Sequence, residues 1–298
     1  MEQKSHILIT TKYLDLCLHN GIFGATDKQI NQLSNIEIGN TIFIFETQSG
    51  KIVGPCTVTK SLFKNTETIW ETQKGNDPFI NRIKFECKDV YESTDISILW
   101  NLMFKRDPSK MFIFNTFERS SITLFKNEAH ILTELLIQNG NPISKSKIDR
   151  NFIESECEYF KETDKTVFSS EARLETYLIK NKNNFINFLE RVCKLDLKNL
   201  ELINQISLPG LNYNIDIILF GDKIVIIELK KGLLDIATIQ QLEKYKKYWK
   251  NTSENITLIA IGSEFYDGDC NGTFQIKYEI TKDKKVKLTS KNGEAVDL

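Results

Sequence analysis

The sequence predicts two domains that both mix helices and strands, an α+β domain first and an α/β domain after it. Three observations support this prediction. The chain has 298 residues, a length that favours two domains. Residues 1–120 contain many short runs with the alternating or apolar pattern of strands, and residues 166–298 combine helical periodicity with apolar strands. We expect residues 121–165 to form a helical connector between the two domains.

Composition narrows the class of protein. The net charge is −1, so a nucleic-acid partner would have to be held by local basic patches. The chain begins without an apolar signal segment and has no apolar run long enough to cross a bilayer, so we expect a cytoplasmic protein that does not contact membranes. Its six cysteines are scattered and form no CxxC pair. This spacing predicts free thiols and argues against a zinc site.

The N-terminal domain is predicted to be a small curled sheet or barrel with short helices. Residues 7–9 and 41–45 are apolar runs, and the pairs Gly39-Asn40 and Ser49-Gly50 mark turns beside the second run. Further strands are expected at residues 51–54, 56–59 and 81–86, and short helices at residues 11–20 and 27–34. Many short strands with few small helices are typical of such a curled sheet.

The connector is predicted to begin with an amphipathic helix over residues 127–137, which ends at the breaker segment Asn139-Gly140-Asn141-Pro142. We expect this helix to pack on the N-terminal domain. The residues that follow, up to 165, are polar and weakly patterned, which indicates a linker. Its glutamates are expected to form a solvated acidic face: Glu154, Glu156 and Glu158.

The C-terminal domain is predicted to open with a helix whose N-cap lies at Ser169-Ser170. A strand is expected at residues 201–208, with Gln205 and Ser207 facing solvent. The Gly221-Asp222 pair marks a tight turn between two apolar strands. The remaining elements are expected to be a helix over 236–249, a strand over 256–261, and a closing hairpin over 274–280 and 285–288.

The chemistry of the chain is concentrated where an apolar strand, residues 224–227, runs into Glu228 and Lys230. These two residues are two apart, so they share one face of the strand. The preceding strand carries Asp216, which the Gly221-Asp222 turn brings close. Two carboxylates can hold Mg²⁺, which polarises a phosphate and activates water, while a lysine offsets the developing charge. The alternative is an edge strand with a solvated Glu–Lys pair.

These residues resemble the PD-(D/E)xK nuclease superfamily, and within it the catalytic domain of the archaeal and actinobacterial mismatch-specific endonucleases of the NucS type. The matching segments are residues 170–178, 208–216, 225–232 and 237–245. The resemblance implies a restriction-endonuclease-like mixed sheet flanked by helices. It also implies roles for single residues: Asp216 and Glu228 as metal ligands, Lys230 as the catalytic lysine, Gln241 with Tyr245 as an orienting pair, and Glu175 as the helical acid, with Glu171 as the alternative.

A set of N-terminal residues comprises Gly21 to Thr26, Ile38 to Phe45, Ser49 to Pro55, Trp70, and Phe79 to Phe85 with Arg82. This set resembles the PUA-like superfamily, specifically EVE and YTH domains. The resemblance implies that a flipped or single-stranded modified base sits in an aromatic cage. Phe23 matches the first cage aromatic, which is usually tryptophan in YTH domains, and Trp70 lies where a second is expected. Aromatic faces stack on bases and exclude water from a methyl group. The alternative is that both are ordinary core aromatics.

Together these features predict a modification-dependent DNA restriction endonuclease of the type IV kind. It would hydrolyse double-stranded modified DNA with Mg²⁺, for which Mn²⁺ is expected to substitute, under the direction of a base held in the N-terminal domain. A homodimer is expected because a double-strand cut usually needs two active sites. Two alternatives remain open: a repair endonuclease that recognises mismatched or branched DNA, and a non-catalytic reader of nucleic acid.

Overall fold

Two compact units make up the chain, residues 1–157 and residues 158–298. The computed structural model describes residues 4–70, 79–95, 121–124, 126–143, 154–157, 166–197, 199–207, 214–249 and 255–298. Each unit contains one mixed sheet with helices, so the predicted mixture of helices and strands in both parts of the chain is confirmed. No helix within the described ranges is long and apolar enough to cross a membrane.

The first unit is built on a sheet of eight strands. The strands are β1 Ser5–Thr10, β2 Ile22–Ala25, β3 Thr41–Glu46, β4 Lys51–Lys64, β5 Asn81–Glu86, β6 Val90–Ser93, β7 Ser121–Leu124 and β8 Asn141–Ile143. The helices are α1 Leu14–Asn20, α2 Ile30–Leu33 and α3 Lys126–Asn139. The main strand order is β2-β5-β4-β3-β1-β7, and β6 pairs with both β4 and β8. Strands β1 and β3 are parallel, and the other pairs are antiparallel.

Strand β3 shows why its sequence is an unbroken apolar run. Successive side chains of a strand point to opposite faces. Ile42 and Ile44 join a core cluster that includes Leu14 and Leu18 of α1, whereas Phe43 and Phe45 join a cluster with Leu132 and Leu136 of α3. Both faces of β3 are therefore covered. The same contacts confirm the prediction that the helix after residue 125 packs on the N-terminal sheet.

A disulfide joins Cys56 of β4 to Cys87, the residue after β5, with the two Cα atoms 4.4 Å apart. The expectation that all six cysteines are free is therefore wrong for this pair, while the other four are free thiols. The physical reason is the pairing of β4 with β5. That pairing sets Thr57 opposite Glu86, so the next residues outward are the two cysteines.

The acidic segment at residues 154–157 is also placed differently from its prediction. Glu154 forms ion pairs with both Lys60 and Lys84, and its side chain is 19% exposed. Ser155 exchanges two backbone hydrogen bonds with Lys64, at 2.8 and 3.0 Å. A solvated face is therefore wrong for Glu154, because backbone pairing draws it onto two lysines of the sheet. Glu158 lies outside the described residues.

The second unit is built on a sheet of seven strands. The strands are β9 Glu201–Ser207, β10 Asn214–Phe220, β11 Ile224–Leu229, β12 Ile256–Gly262, β13 Phe274–Ile280, β14 Val286–Ser290 and β15 Ala295–Asp297. The helices are α4 Glu171–Lys180, α5 Lys182–Cys193 and α6 Ile236–Trp249. The strands follow the order β15-β14-β13-β12-β11-β10-β9. Strands β11, β12 and β13 are parallel, and the outer pairs are antiparallel.

Central strand β11 divides its side chains between two faces of this sheet. Val225, Ile227 and Leu229 join the core cluster that contains Leu174 of α4 and Phe188 of α5. The alternate positions, including Ile226 and Glu228, therefore point to the other face. Helix α6 connects β11 to β12, as a crossover between parallel strands requires, and it packs on both of them. A carboxylate is thus placed in an interior that is otherwise apolar.

His6 of β1 is a titratable side chain buried in the first unit. It is 1% exposed, with Nε2 3.2 Å from Oδ1 of Asn40 and Nδ1 3.3 Å from Oγ1 of Thr123. Burial, assisted by the charge of Lys4, lowers the pKa of His6 from 6.5 to about 4. The folded protein therefore holds His6 neutral at pH values where the unfolded chain binds a proton.

We expect His6 to make the first unit less stable as the pH falls from 6.5 towards 4. Over that range the wild type should lose about 3 kcal/mol more unfolding free energy than His6→Gln, which keeps polar atoms but does not titrate. Urea denaturation at a series of pH values measures the difference. The control is His130→Gln, at an exposed position of α3. Parallel pH profiles for the wild type and His6→Gln would contradict this account.

Candidate active site

The hairpin of β10 and β11 brings together the acids and the lysine that the sequence singles out. Ile217 pairs with Ile227, so the same register places Asp216 opposite Glu228. Asp216 Oδ2 accepts a hydrogen bond of 2.7 Å from the backbone N–H of Leu229. Lys230 Nζ donates to Glu228 Oε1, also at 2.7 Å. The predicted convergence of these three side chains is therefore present in the structure.

Glu228 is the most deeply buried member of this group. It is 2% exposed, because β11 lies between β10 and β12 in the sheet. Its Oε1 atom is paired with Lys230, but its Oε2 atom is buried and has no hydrogen-bond partner among the described residues. A buried oxygen without a partner is costly and is rare in native proteins. This oxygen is therefore available to a group that is not part of the chain.

The electrostatics of the hairpin follow from this burial. Burial, and after it the charge of Asp216, raises the pKa of Glu228 to about 8. Burial also raises the pKa of Asp216 to about 6, although the hydrogen bond from Leu229 opposes the shift. For Lys230, burial disfavours the charged form, but the Glu228 carboxylate outweighs this effect and raises the pKa of Lys230. The positive charge of Lys230 is therefore not enough to compensate the carboxylates of both Asp216 and Glu228.

Helix α4 adds Glu175 to the same neighbourhood. The helix begins where predicted, with Ser170 Oγ accepting from the N–H of Arg173. Glu175 is 1% exposed and accepts hydrogen bonds from Asn204 Nδ2 at 2.7 Å and from Gln205 Nε2 at 2.6 Å. The same Gln205 nitrogen lies 3.3 Å from Asp216 Oδ1. Gln205 therefore links the helical acid to the strand acid.

The placement of Gln205 overturns the prediction that it faces solvent. Its φ angle is 53°, in the left-handed region, which turns its side chain away from the alternation of the strand. The sequence analysis missed its part in the site. The available signal was the pair of adjacent amides, Asn204 and Gln205, between the apolar residues Ile203 and Ile206.

Glu171, the alternative helical acid, lies at the first turn of α4. Its Oε1 atom accepts a hydrogen bond of 3.4 Å from the N–H of Lys231. Its charge also contributes to the raised pKa values of Asp216 and Glu228. Both helical glutamates are therefore close to the hairpin, but Glu175 is the one held by two side-chain amides.

Gln241 and Tyr245 form the predicted pair on α6. Gln241 Nε2 donates to the Tyr245 hydroxyl at 2.6 Å, and that hydroxyl donates to the backbone carbonyl of Asn214 at 2.8 Å. Tyr245 is fully buried, so the pair fixes α6 to β10 two residues before Asp216. Of the matching segments, residues 208–213 lie outside the described residues.

The residues predicted to bind a base lie in the core of the first unit. Phe23 and Trp70 are 3% and 2% exposed. The guanidinium of Arg82 lies 5.1 Å from the centre of the Trp70 ring, and Phe79 contacts that ring edge to face at 5.7 Å. A Cβ atom at Gly24 would lie only 2.8 Å from Trp70, so the glycine allows β2 to approach the ring closely. Such burial favours the core alternative for both side chains in this conformation.

Two partly buried aromatics adjoin Trp70, and the sequence analysis did not assign them to a site. Phe79 lies between Trp70 and Tyr13, with a ring-centre distance of 6.2 Å to Tyr13. Both Phe79 and Tyr13 retain some solvent exposure. These two rings, rather than Phe23, therefore offer aromatic surface next to Trp70.

The oxygen atoms of the hairpin fit a hard divalent cation. Among the described parts of the chain, no three His, Cys, Asp or Glu side chains converge as a complete metal site. Mg²⁺ does not require such a set, since it commonly uses one or two carboxylates and fills its other positions with water and phosphate. Asp216 and Glu228 supply two carboxylates, and Oε2 of Glu228 accepts no hydrogen bond from any residue that the structure describes. The residues present therefore suit Mg²⁺ or Mn²⁺ better than a metal that prefers sulfur or nitrogen.

We expect removal of the Glu228 charge to stabilise the metal-free protein increasingly as the pH rises from 5 to 8. With its raised pKa, Glu228 contributes stability below about pH 4.5, and this is lost as the pH rises towards 8. With a chelator present, Glu228→Gln should therefore gain at least about 1 kcal/mol over the wild type between pH 5 and pH 8. Urea denaturation measures the gain, with the surface variant Glu264→Gln as the control. An equal pH dependence in wild type and Glu228→Gln would be inconsistent with a costly buried carboxylate.

Comparisons with known proteins give structural neighbours but no family. No family model matches the sequence, and no curated protein matches it. The YTH domain of Zygosaccharomyces rouxii MRB1, solved with N6-methyladenosine RNA, is 15% identical with a TM-score of 0.36, over 46% of this chain and 89% of that one. The Pho92 YTH domain, solved with m6A, is 17% identical with a TM-score of 0.35, over 45% and 86%.

A second kind of neighbour is a repair endonuclease from Pyrococcus abyssi, 18% identical with a TM-score of 0.22, over 29% of this chain and 39% of that one. The YTH likeness falls on the N-terminal part of the chain. The neighbours therefore include both kinds of protein that the sequence resembles, a YTH domain and a repair endonuclease. At TM-scores of 0.36 or less, none of these likenesses assigns the chain to a family.

Proposed function

We propose that this chain is a metal-dependent endonuclease that cuts DNA containing a modified base. The observation that carries the nuclease part is the hairpin of the second unit. There Asp216 lies opposite Glu228, Lys230 is hydrogen-bonded to Glu228, and one buried oxygen of Glu228 has no partner in the described part of the chain. An arrangement of two acids and one lysine is costly as a purely structural device, and it suits a cation bound to a phosphodiester.

Each residue of the site has a role in this proposal. Asp216 and Glu228 would hold Mg²⁺, which supplies polarisation of the phosphate and acidification of a water when it is bound. Lys230 would offset the negative charge that develops on the phosphate oxygens, since its ammonium already faces Glu228. Glu175 would extend the acidic site from the helix. Gln241, held by Tyr245, would orient the attacking water or a group beside it.

The proposed role of the first unit is to bind a base that has been taken out of the duplex. Support comes from the sequence resemblance to EVE and YTH domains and from the aromatic group formed by Tyr13, Phe79 and Trp70. Aromatic rings stack on a base whatever its sequence, and an extruded base exposes the edge that carries a modification. Since Trp70 is 2% exposed, stacking on it requires the first unit to open at this group. Phe79 and Tyr13 can take part without such opening.

We expect Lys230→Ala to lower the cleavage rate by about 10³-fold while leaving DNA affinity within about 2-fold, because the lysine acts on charge that develops during reaction. Single-turnover cleavage with Mg²⁺ or Mn²⁺ and filter binding without metal provide the two measurements. The matched control is Lys231→Ala, which removes an exposed neighbouring lysine. Full activity in Lys230→Ala would remove the lysine from the mechanism.

We expect cleavage of one modified substrate and not of its unmodified counterpart. The substrates are duplexes of one sequence that are unmodified, adenine-methylated, cytosine-methylated, hydroxymethylated, or hydroxymethylated and glucosylated. Equal cleavage of all five would favour the repair endonuclease, and mismatched or branched duplexes would then be the next substrates. Binding of a modified strand without cleavage of any duplex would favour a non-catalytic reader.

A further inference from the structure

Two adjacent residues of β9 bind the same carboxylate. Asn204 and Gln205 both donate to Glu175, one to each carboxylate oxygen, at 2.7 and 2.6 Å. Neighbouring residues of a regular strand point to opposite faces, so they cannot normally reach one partner. An irregularity in the backbone of β9 is therefore required for this contact.

Gln205 provides that irregularity. Its φ angle of 53° lies in the left-handed region, which is unfavourable for a residue with a Cβ atom by about 1–2 kcal/mol. Glycine or asparagine would adopt this conformation more easily. Non-glycine residues in such conformations are concentrated at functional sites, where the surrounding contacts hold them in place. Here those contacts are the side-chain hydrogen bonds of Gln205 itself.

The position of Gln205 in the sheet explains what the strained backbone achieves. Ile215 pairs with Ile206 and Ile217 with Asn204, so the same register places Gln205 opposite Asp216. With Asp216 opposite Glu228, the three side chains form a row across β9, β10 and β11. The amide nitrogen of Gln205 lies 2.6 Å from Glu175 Oε2 and 3.3 Å from Asp216 Oδ1. One nitrogen thus fixes how far apart the helical acid and the strand acid lie.

We infer that Gln205 is a positioning residue that holds the carboxylates of Glu175 and Asp216 side by side as one acidic site. This inference rests on the proposed nuclease function, because it gives the two acids a shared purpose. Asn204 donates to one oxygen of Glu175, whereas Gln205 donates to the other oxygen of Glu175 and also to Asp216. Gln205 is the residue whose loss separates the two acids.

The test uses Gln205→Gly, which removes the amide and relieves the left-handed backbone. If Gln205 had only a structural role, this substitution would lower the stability of the protein and leave its metal affinity unchanged. The positioning role predicts instead that the folded variant binds Mn²⁺ about 10- to 100-fold more weakly, the usual effect of losing a group that orients metal ligands. Isothermal titration with Mn²⁺ and thermal denaturation in chelator measure these quantities without any cleavage.

Two further variants keep the test decisive. Gln205→Asn tolerates the left-handed conformation but is one methylene shorter, so it carries the same expectation if Gln205→Gly does not fold. Asn204→Ala removes one bond to Glu175 without touching Asp216, and we expect a smaller loss of Mn²⁺ affinity than for Gln205→Gly. Asp216→Ala, which removes a proposed ligand, sets the scale for complete loss.

The outcomes separate this inference from the function on which it rests. Weaker Mn²⁺ binding by folded Gln205→Gly or folded Gln205→Asn supports the positioning role. Unchanged or tighter binding by these variants, together with loss of binding in Asp216→Ala, overturns the role of Gln205 and leaves the nuclease proposal intact. Failure of the wild type to bind Mn²⁺, or equal binding by Asp216→Ala, overturns the metal site itself and the inference with it.

Discussion

The burial of acidic side chains beside the central strand is the constraint on which the second unit depends. Glu175 and Glu228 are buried and Asp216 is partly buried, and an uncompensated charge at such positions is costly. A lysine, a backbone N–H and two side-chain amides offset this cost by donating to the carboxylates, and the amide of Gln205 contacts two of them. One oxygen of Glu228, Oε2, has no hydrogen-bond donor among the residues that the structure describes. The irregular backbone of β9 is understandable as the way in which Asn204 and Gln205 both supply a donor to Glu175.

The hairpin could be predicted from the sequence because its determinants are local. Apolar residues on both sides of the Gly221-Asp222 turn specify two strands, and the period of two then fixes which residues face each other. The link between Glu175 and Asp216 could not be predicted in the same way. It depends on the left-handed φ angle of Gln205, and no residue preference announces such an angle at a glutamine. Tertiary hydrogen bonds, rather than local propensity, hold that conformation.

The first unit shows the same division between local and distant determinants. The run at 41–45 is apolar throughout, and this is sufficient to predict a strand. Whether an aromatic such as Trp70 lines a cage or fills a core depends on which distant strand passes beside it. Gly24 of β2 passes close beside the Trp70 ring, and nothing near Trp70 in the sequence indicates this. The disulfide of Cys56 is hidden for the same reason, since its partner is 31 residues away and is selected by strand register.

The hydrogen bonds of the acidic site also differ in how much chain they enclose. Asp216 and Leu229 are 13 residues apart, whereas Gln205 and Glu175 are separated by 30. Contacts between residues close in sequence close smaller loops and tend to form earlier in folding. We therefore expect the strand acids to meet as soon as the hairpin forms and the helical acid to join them when α4 docks on β9. Before α4 docks, two of the three acids would then already lie together, charged and not yet shielded from water.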